Sequence, residues 1–245
     1  MSKKKFLPAI LLLVLSGGAA TAQTFPSEAR SEAHSAIERG NRRFAKEDYE
    51  AALREYRSVP RSAGESYAQA LYNIGVCYFE LWRTAEAIEL YRQALEVRHG
   101  HYPKASYALG VALENQGRPA EAKEAYRQSI ITSHGEFAVA HFRLGLLISN
   151  DGDYEAAAAC FRKAIARSGE HVPSSHNNLG VMLARQGRLT EAGREFEIAL
   201  RQTNGSFDEA AHNLKLCRSL LTTPAKDQIA ALRISDRVAL KDFPQ

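Results

Sequence analysis

Leu71-Tyr72-Asn73-Ile74-Gly75-Val76-Cys77-Tyr78, followed at a short distance by Ala87-Ile88-Glu89-Leu90-Tyr91, is the stretch that decides the fold. Leu71, Ile74 and Tyr78 are spaced by three and four, one face of a helix. Ala87, Tyr91 and Ala94 lie at i, i+4 and i+7, one face of a second helix. The same pattern then returns along the chain. Gly40, Gly75, Gly110, Gly145 and Gly180 stand 35 residues apart. Ala52, Ala87, Ala122, Ala157 and Ala192 keep that period, as do Tyr56, Tyr91, Tyr126, Phe161 and Phe196. A small-residue column follows at Val59, Ala94, Ser129, Ala164 and Ala199, and a fifth column at Tyr67, Tyr102, Phe137, Val172 and Phe207. Five columns in one register define an internal repeat.

Each column has a physical meaning. Gly and Ala mark where two helices cross too closely for a larger side chain. Between them lie polar or Gly-containing turns: Gln116-Gly117-Arg118, Asp151-Gly152-Asp153 and Gln186-Gly187-Arg188. A second glycine follows the second helix at Gly64, Gly100, Gly135, Gly169 and Gly205, the place for a left-handed cap. Each unit therefore reads as two antiparallel helices, which bury their faces only by stacking on the next unit.

Leu71-x2-Ile74-Gly75-x2-Tyr78…Ala87-x3-Tyr91 resembles the tetratricopeptide repeat (TPR) pattern over about residues 31–222. The resemblance implies an all-α, right-handed superhelical solenoid of antiparallel helix pairs. It departs from the family in its 35-residue period, in Trp82 at the place of the turn glycine, and in the displaced prolines Pro60, Pro103 and Pro173. Units fall at about 31–64, 65–100, 101–135, 136–170 and 171–205. Residues 206–222 repeat only the first helix, with Asn213-Leu214 echoing Asn178-Leu179, and read as a capping helix. Residues 23–30 read as a linker, and 223–245 as a tail carrying Ile229, Leu232, Val238 and Leu240.

Residues 1–22 have the layout of a cleavable secretory signal peptide. Lys3, Lys4 and Lys5 precede the apolar run Phe6–Leu15, and Ala20-Thr21-Ala22 forms a small-x-small site before Gln23. The run is too short to span a bilayer. The mature chain is expected to be periplasmic or secreted, with no membrane span. The 32 basic residues become 29 once those three lysines are removed, against 28 acidic, so the mature net charge is +1. That gives no global electrostatic reason to bind nucleic acid. G-x-S-x-G, H-E-x-x-H, P-loop and dinucleotide glycine motifs are missing, so no catalytic residue, cofactor or enzyme activity is expected. His99, His101, His134 and His171 lie about one repeat apart, too widely for a tetrahedral metal site. Cys77, Cys160 and Cys217 are an odd number and read as buried packing.

In the TPR family the first helix of each unit lines the inner surface. Carried over by column, the resemblance implies a groove of Tyr72, Val76, Phe79, Tyr107, Val111, Phe142, Leu146 and Val181, flanked by Lys104, Arg143, Asn177 and Arg185. With the core filled by the repeated columns, this second apolar stripe needs a cover. A ligand, the tail or a partner subunit could supply it. The five-residue clamp by which some TPR domains hold a terminal carboxylate is matched at Asn41, Asn73 and Lys104. Ile37 and Ala108 stand where its other two basic groups belong. The expected function is a non-catalytic scaffold that takes a peptide or helix of a partner protein in its concave groove. The alternative is an envelope-complex assembly factor, or a pilotin-like accessory, acting through the convex face or tail. Self-association and a role as the subunit of an enzyme are left open.

Overall fold

The computed structural model describes residues 27–168, 172–223 and 226–237. The expected signal peptide lies outside the described residues, as do Gly169, His171, Val238 and Leu240. Eleven α-helices, and no strand, occur among the described residues. They pair as α1 (Ser27–Phe44) with α2 (Tyr49–Arg57), α3 (Glu65–Glu80) with α4 (Thr84–Val97), and α5 (Pro103–Asn115) with α6 (Pro119–Thr132). Then come α7 (Ala138–Asn150) with α8 (Tyr154–Ser168), and α9 (Pro173–Arg185) with α10 (Leu189–Gln202). Helix α11 (Asp208–Thr222) closes the row, with no second α-helix after it among the described residues. Helices pack on their neighbours in sequence, and α1 touches α3, α3 touches α5 and α9 touches α11, as a stacked solenoid requires. One boundary differs from expectation: α1 reaches back to Ser27, so residues 27–30 are helix rather than linker. Ser-Glu-Ala-Arg contains nothing that would stop the helix after Pro26.

The glycine column is a steric requirement. A Cβ on Gly110 would lie 2.5 Å from Cε1 of Tyr126, and one on Gly75 would lie 2.6 Å from Cε1 of Tyr91. The aromatic of each second helix therefore fills the space that the glycine leaves on the first. The alanines that precede it, Ala52 to Ala192, are fully buried. Ser129 stands in the small column without penalty because its hydroxyl donates to the carbonyl of Pro103, 2.9 Å away. The displaced prolines also find their reason, since Pro103 and Pro173 open helices, where the missing N–H costs nothing.

A further column starts the second helices. Asp48 and Asp153 accept from the backbone N–H of Ala51 and Ala156, capping α2 and α8 directly. Arg83, Arg118 and Arg188 stand at the same register and instead bind Glu86, Glu121 and Glu191 in the first turn. The turn itself needs a left-handed residue. Gly117, Gly152 and Gly187 supply it with φ of 70°, 85° and 81°. Glu47 and Trp82 adopt the same conformation at φ 59° and 60°. A side chain there costs about 1–2 kcal/mol. Trp82 carries that cost while 86% exposed.

His141 lies where Leu71 stands two units earlier. It is buried, and its Nε2 is 3.2 Å from the carbonyl oxygen of Gly135. Burial holds its imidazole below the usual value of 6.5, with Lys163 and Arg167 nearby adding to the effect. The unfolded chain therefore takes up a proton before the folded one does. Stability is full above pH 6.5 and falls as the pH drops from there through the depressed folded value. The slope is at most about 1.4 kcal/mol per pH unit. Denaturant melts between pH 8 and pH 5 should show this loss, and His141→Leu should remove this part of it.

Candidate functional site

The first helices of units one to three come together around a cavity of about 400 Å³. Asn41 and Phe44 reach it from α1, Gln69, Tyr72, Asn73 and Val76 from α3, and Lys104 from α5, with Tyr56 and Tyr102 at its walls. Its floor is aromatic. Tyr72 packs between Tyr91 and Tyr102, at ring distances of 5.9 and 5.5 Å. Its wall is amide. Asn41 Oδ1 accepts from the Tyr56 hydroxyl at 2.8 Å and from Asn73 Nδ2 at 3.2 Å. Burial pushes the Tyr72 phenol up to about 12, so it stays a neutral hydroxyl at ordinary pH. Asn41 stands where later units carry Val76, Val111, Leu146 and Val181, so this end of the inner face is polar.

Of the predicted groove residues, Tyr72, Val76 and Lys104 line this cavity. Phe79 and Val111 are half-buried against the core of units two to four. Tyr107 and Phe142 do not form a second exposed face. They are 3% and 5% exposed. Tyr107 packs on Tyr126 and Phe137 at 5.7 and 5.4 Å, and Phe142 on Phe161 at 5.8 Å. Tyr107 and Phe142 thus join the core, Tyr107 sandwiched between its own second helix and the start of the next unit. Leu146 is buried with them. Arg143 is half-buried beside Tyr107, Tyr126 and Glu114. Arg185 lies over the Tyr154 ring, 5.0 Å from its centroid. The three clamp-like residues do meet in one cavity, but Ile37 is buried and Ala108 apolar, so the converging positive charge of a carboxylate clamp is absent from those two positions.

Asn177 and Val181 are fully buried, and the cover over Asn177 is the chain's own tail. After a 3-10 turn at Lys226–Ala231, the backbone runs without regular structure over 232–237 across α9 and α11. Asn213 accepts from the N–H of Arg233 at 2.8 Å and donates to its carbonyl at 2.7 Å. Asn178 does the same for Ser235, at 2.8 and 2.7 Å. Asn177 adds a bond to the Arg233 carbonyl at 3.0 Å and accepts from Asn213 at 2.9 Å. Leu232 is buried among the apolar residues of units four and five and of α11, with Ile229 and Ile234 packed on the same cluster. Asn178 and Asn213 were missed as functional residues. Their signal was a column: Asn73, Asn178 and Asn213 all stand two residues before the glycine position.

Among the described residues no group of His, Cys, Asp and Glu could hold a metal ion, and no helix is long and apolar enough to cross a membrane. Cys77 and Cys217 are buried, and burial pushes the Cys77 thiol up to about 12, which leaves it inert.

Stacked helix pairs with a lined inner face define a repeat solenoid of the protein-interaction class. Two family models, both for the tetratricopeptide repeat, match residues 29–99 and residues 83–136 with 142–209. The chain belongs to the tetratricopeptide repeat family. No curated protein matches it in sequence. Among solved structures it is similar to MamA of Desulfovibrio magneticus RS-1, at 22% identity and TM-score 0.59, over 71% of this chain and 97% of that one. It is similar to YrrB, described as a TPR protein with an unusual peptide-binding site, at 22% identity and TM-score 0.59, over 77% and 94%. It is also similar to PilF of Pseudomonas aeruginosa, at 19% identity and TM-score 0.63, over 84% and 89%. At these identities the likeness is one of fold.

Proposed function

We propose that the chain is a non-catalytic scaffold, exported behind residues 1–22, whose inner face takes an extended segment of a partner protein. The observation that carries this reading is the cavity of units one to three. It pairs an apolar aromatic floor with amide groups able to bond a peptide backbone. The peptide-binding site named for YrrB supports the same use of the fold. Burying two or three side chains there supplies about 3–9 kcal/mol in all, and the cost of association leaves a weak, exchangeable complex.

The test is site-specific photo-crosslinking in envelope extract with the full chain. A photoreactive residue at exposed Gln69 in the cavity should capture a partner. The same probe at exposed Ile131 on α6 should not. Adding Val76→Arg should cut capture from Gln69 at least tenfold with helical content unchanged. Capture from Ile131 alone would move function to the outer face, as an assembly factor or pilotin-like accessory.

A further inference from the structure

The tail is held in a way that packing alone does not require. A segment docked only by its apolar residues would leave its peptide groups to water. Here one buried asparagine bonds both the N–H and the C=O of each residue, Asn213 for Arg233 and Asn178 for Ser235, and Asn177 adds a second bond to the Arg233 carbonyl. The two bonded residues are two apart, the spacing at which an extended strand presents its peptide groups to the same side. Asn178 and Asn213 are themselves one repeat apart and fully buried, so one step along the solenoid matches two residues of strand. Main-chain bonding of this kind is indifferent to the side chain of Arg233, which is exposed. Selectivity falls instead on Leu232, seated in the apolar cluster, and on Ser235, buried where a large side chain has no room.

We propose that the inner face of α9 and α11 is a second peptide site, which reads an extended backbone through Asn178 and Asn213 and accepts a segment of pattern large apolar–x–x–small. Residues 232–235 fill it as a tethered ligand, and a partner segment enters only by displacing them. This rests on reading the inner face as a peptide groove, and it extends that groove from units one to three to unit five and the capping helix α11. A short tether acts at an effective concentration of about millimolar. Against it a free peptide of micromolar affinity is weakened roughly a thousandfold.

The experiment uses the full chain and a fluorescent peptide with the sequence of residues 226–237. Leu232→Asp places a carboxylate in the apolar cluster and should release the tail without touching the helices. That variant should bind the peptide at least tenfold more tightly than the unaltered chain does. The gain should vanish when the peptide itself carries Leu232→Asp, and again when the protein also carries Asn178→Ala and Asn213→Ala. Because those asparagines are buried, amide exchange gives a reading free of their folding. The N–H groups of Arg233 and Ser235 should be protected in the unaltered chain and unprotected in Leu232→Asp. Equal peptide binding by both chains, peptide binding that survives the peptide's own Leu232→Asp, or unprotected amides in the unaltered chain would overturn the proposal. A dimer of the unaltered chain that Leu232→Asp dissolves would overturn it too, since the strand would then come from a second copy. Val76→Arg should leave every one of these readings unchanged, so failure here and failure of the first cavity remain distinguishable.

Discussion

Phe161→Ala is expected to cost about 3–5 kcal/mol, the range for removing a fully buried aromatic ring. Phe161 is wholly buried, faces Gly145 across the helix pair and packs on Phe142. Domain stability is only about 5–15 kcal/mol. In a solenoid each unit is supported only by its neighbours, so the lesion at unit four lies between two unequal parts. The denaturant transition should shift to lower concentration and also broaden, as units one to three uncouple from unit five and the capping helix. A single sharp transition at the original midpoint would show that the ring carries no such load. Gly145→Ala supplies the check. Its Cβ would sit 2.9 Å from Phe161 Cε1, so alone it should destabilise. In the Phe161→Ala background the ring contacts are gone and only the approach to Cys160 Cβ, at 3.2 Å, remains, so the same change should cost at least about 1 kcal/mol less than it does alone.

Gly110→Ala is expected to lower stability by about 2 kcal/mol. In an unobstructed helix the substitution would gain about 1 kcal/mol. Here the new methyl would meet three ring atoms of Tyr126 at 2.5, 2.7 and 2.9 Å. The ring has no exit, because it is fully buried, lies against Tyr107 and bonds through its hydroxyl to Glu114. Overpacking costs typically about 1–3 kcal/mol, and a contact this short belongs at or beyond the upper end. Thermal melts of Gly110→Ala beside an alanine at a surface position of the same helix give the comparison. A rise in the melting temperature would mean the helix pair can part at no cost.

The helix pairs were legible because a steric contact repeated five times leaves five copies of its spacing. Gly75 with Tyr91 and Gly110 with Tyr126 need each other, so neither can drift alone. The inner face was legible only in part. Tyr72 and Val76 line the open cavity, but Tyr107 and Phe142 are buried. Helical spacing states which residues share a face, while the width of the neighbouring rings decides how much of that face they cover. Phe137 and Phe161 do the covering, and nothing in the local pattern of residues 107–142 says so. The tail was the least legible. Leu232 and Ser235 belong to no period, and their docking depends on Asn178 and Asn213, more than fifty and about twenty residues away. Two asparagines in one column were visible, yet a buried amide shows its purpose only when the backbone it holds is in place.

Trp82 is the sole tryptophan of the chain, and its indole stands in solvent at the turn of unit two. Its emission therefore starts from a watery environment and has little further to travel when the solenoid melts. For folding it is a silent chromophore. For anything that settles against that turn, and so dries the indole, it is a reporter already installed, one that needs neither label nor substitution.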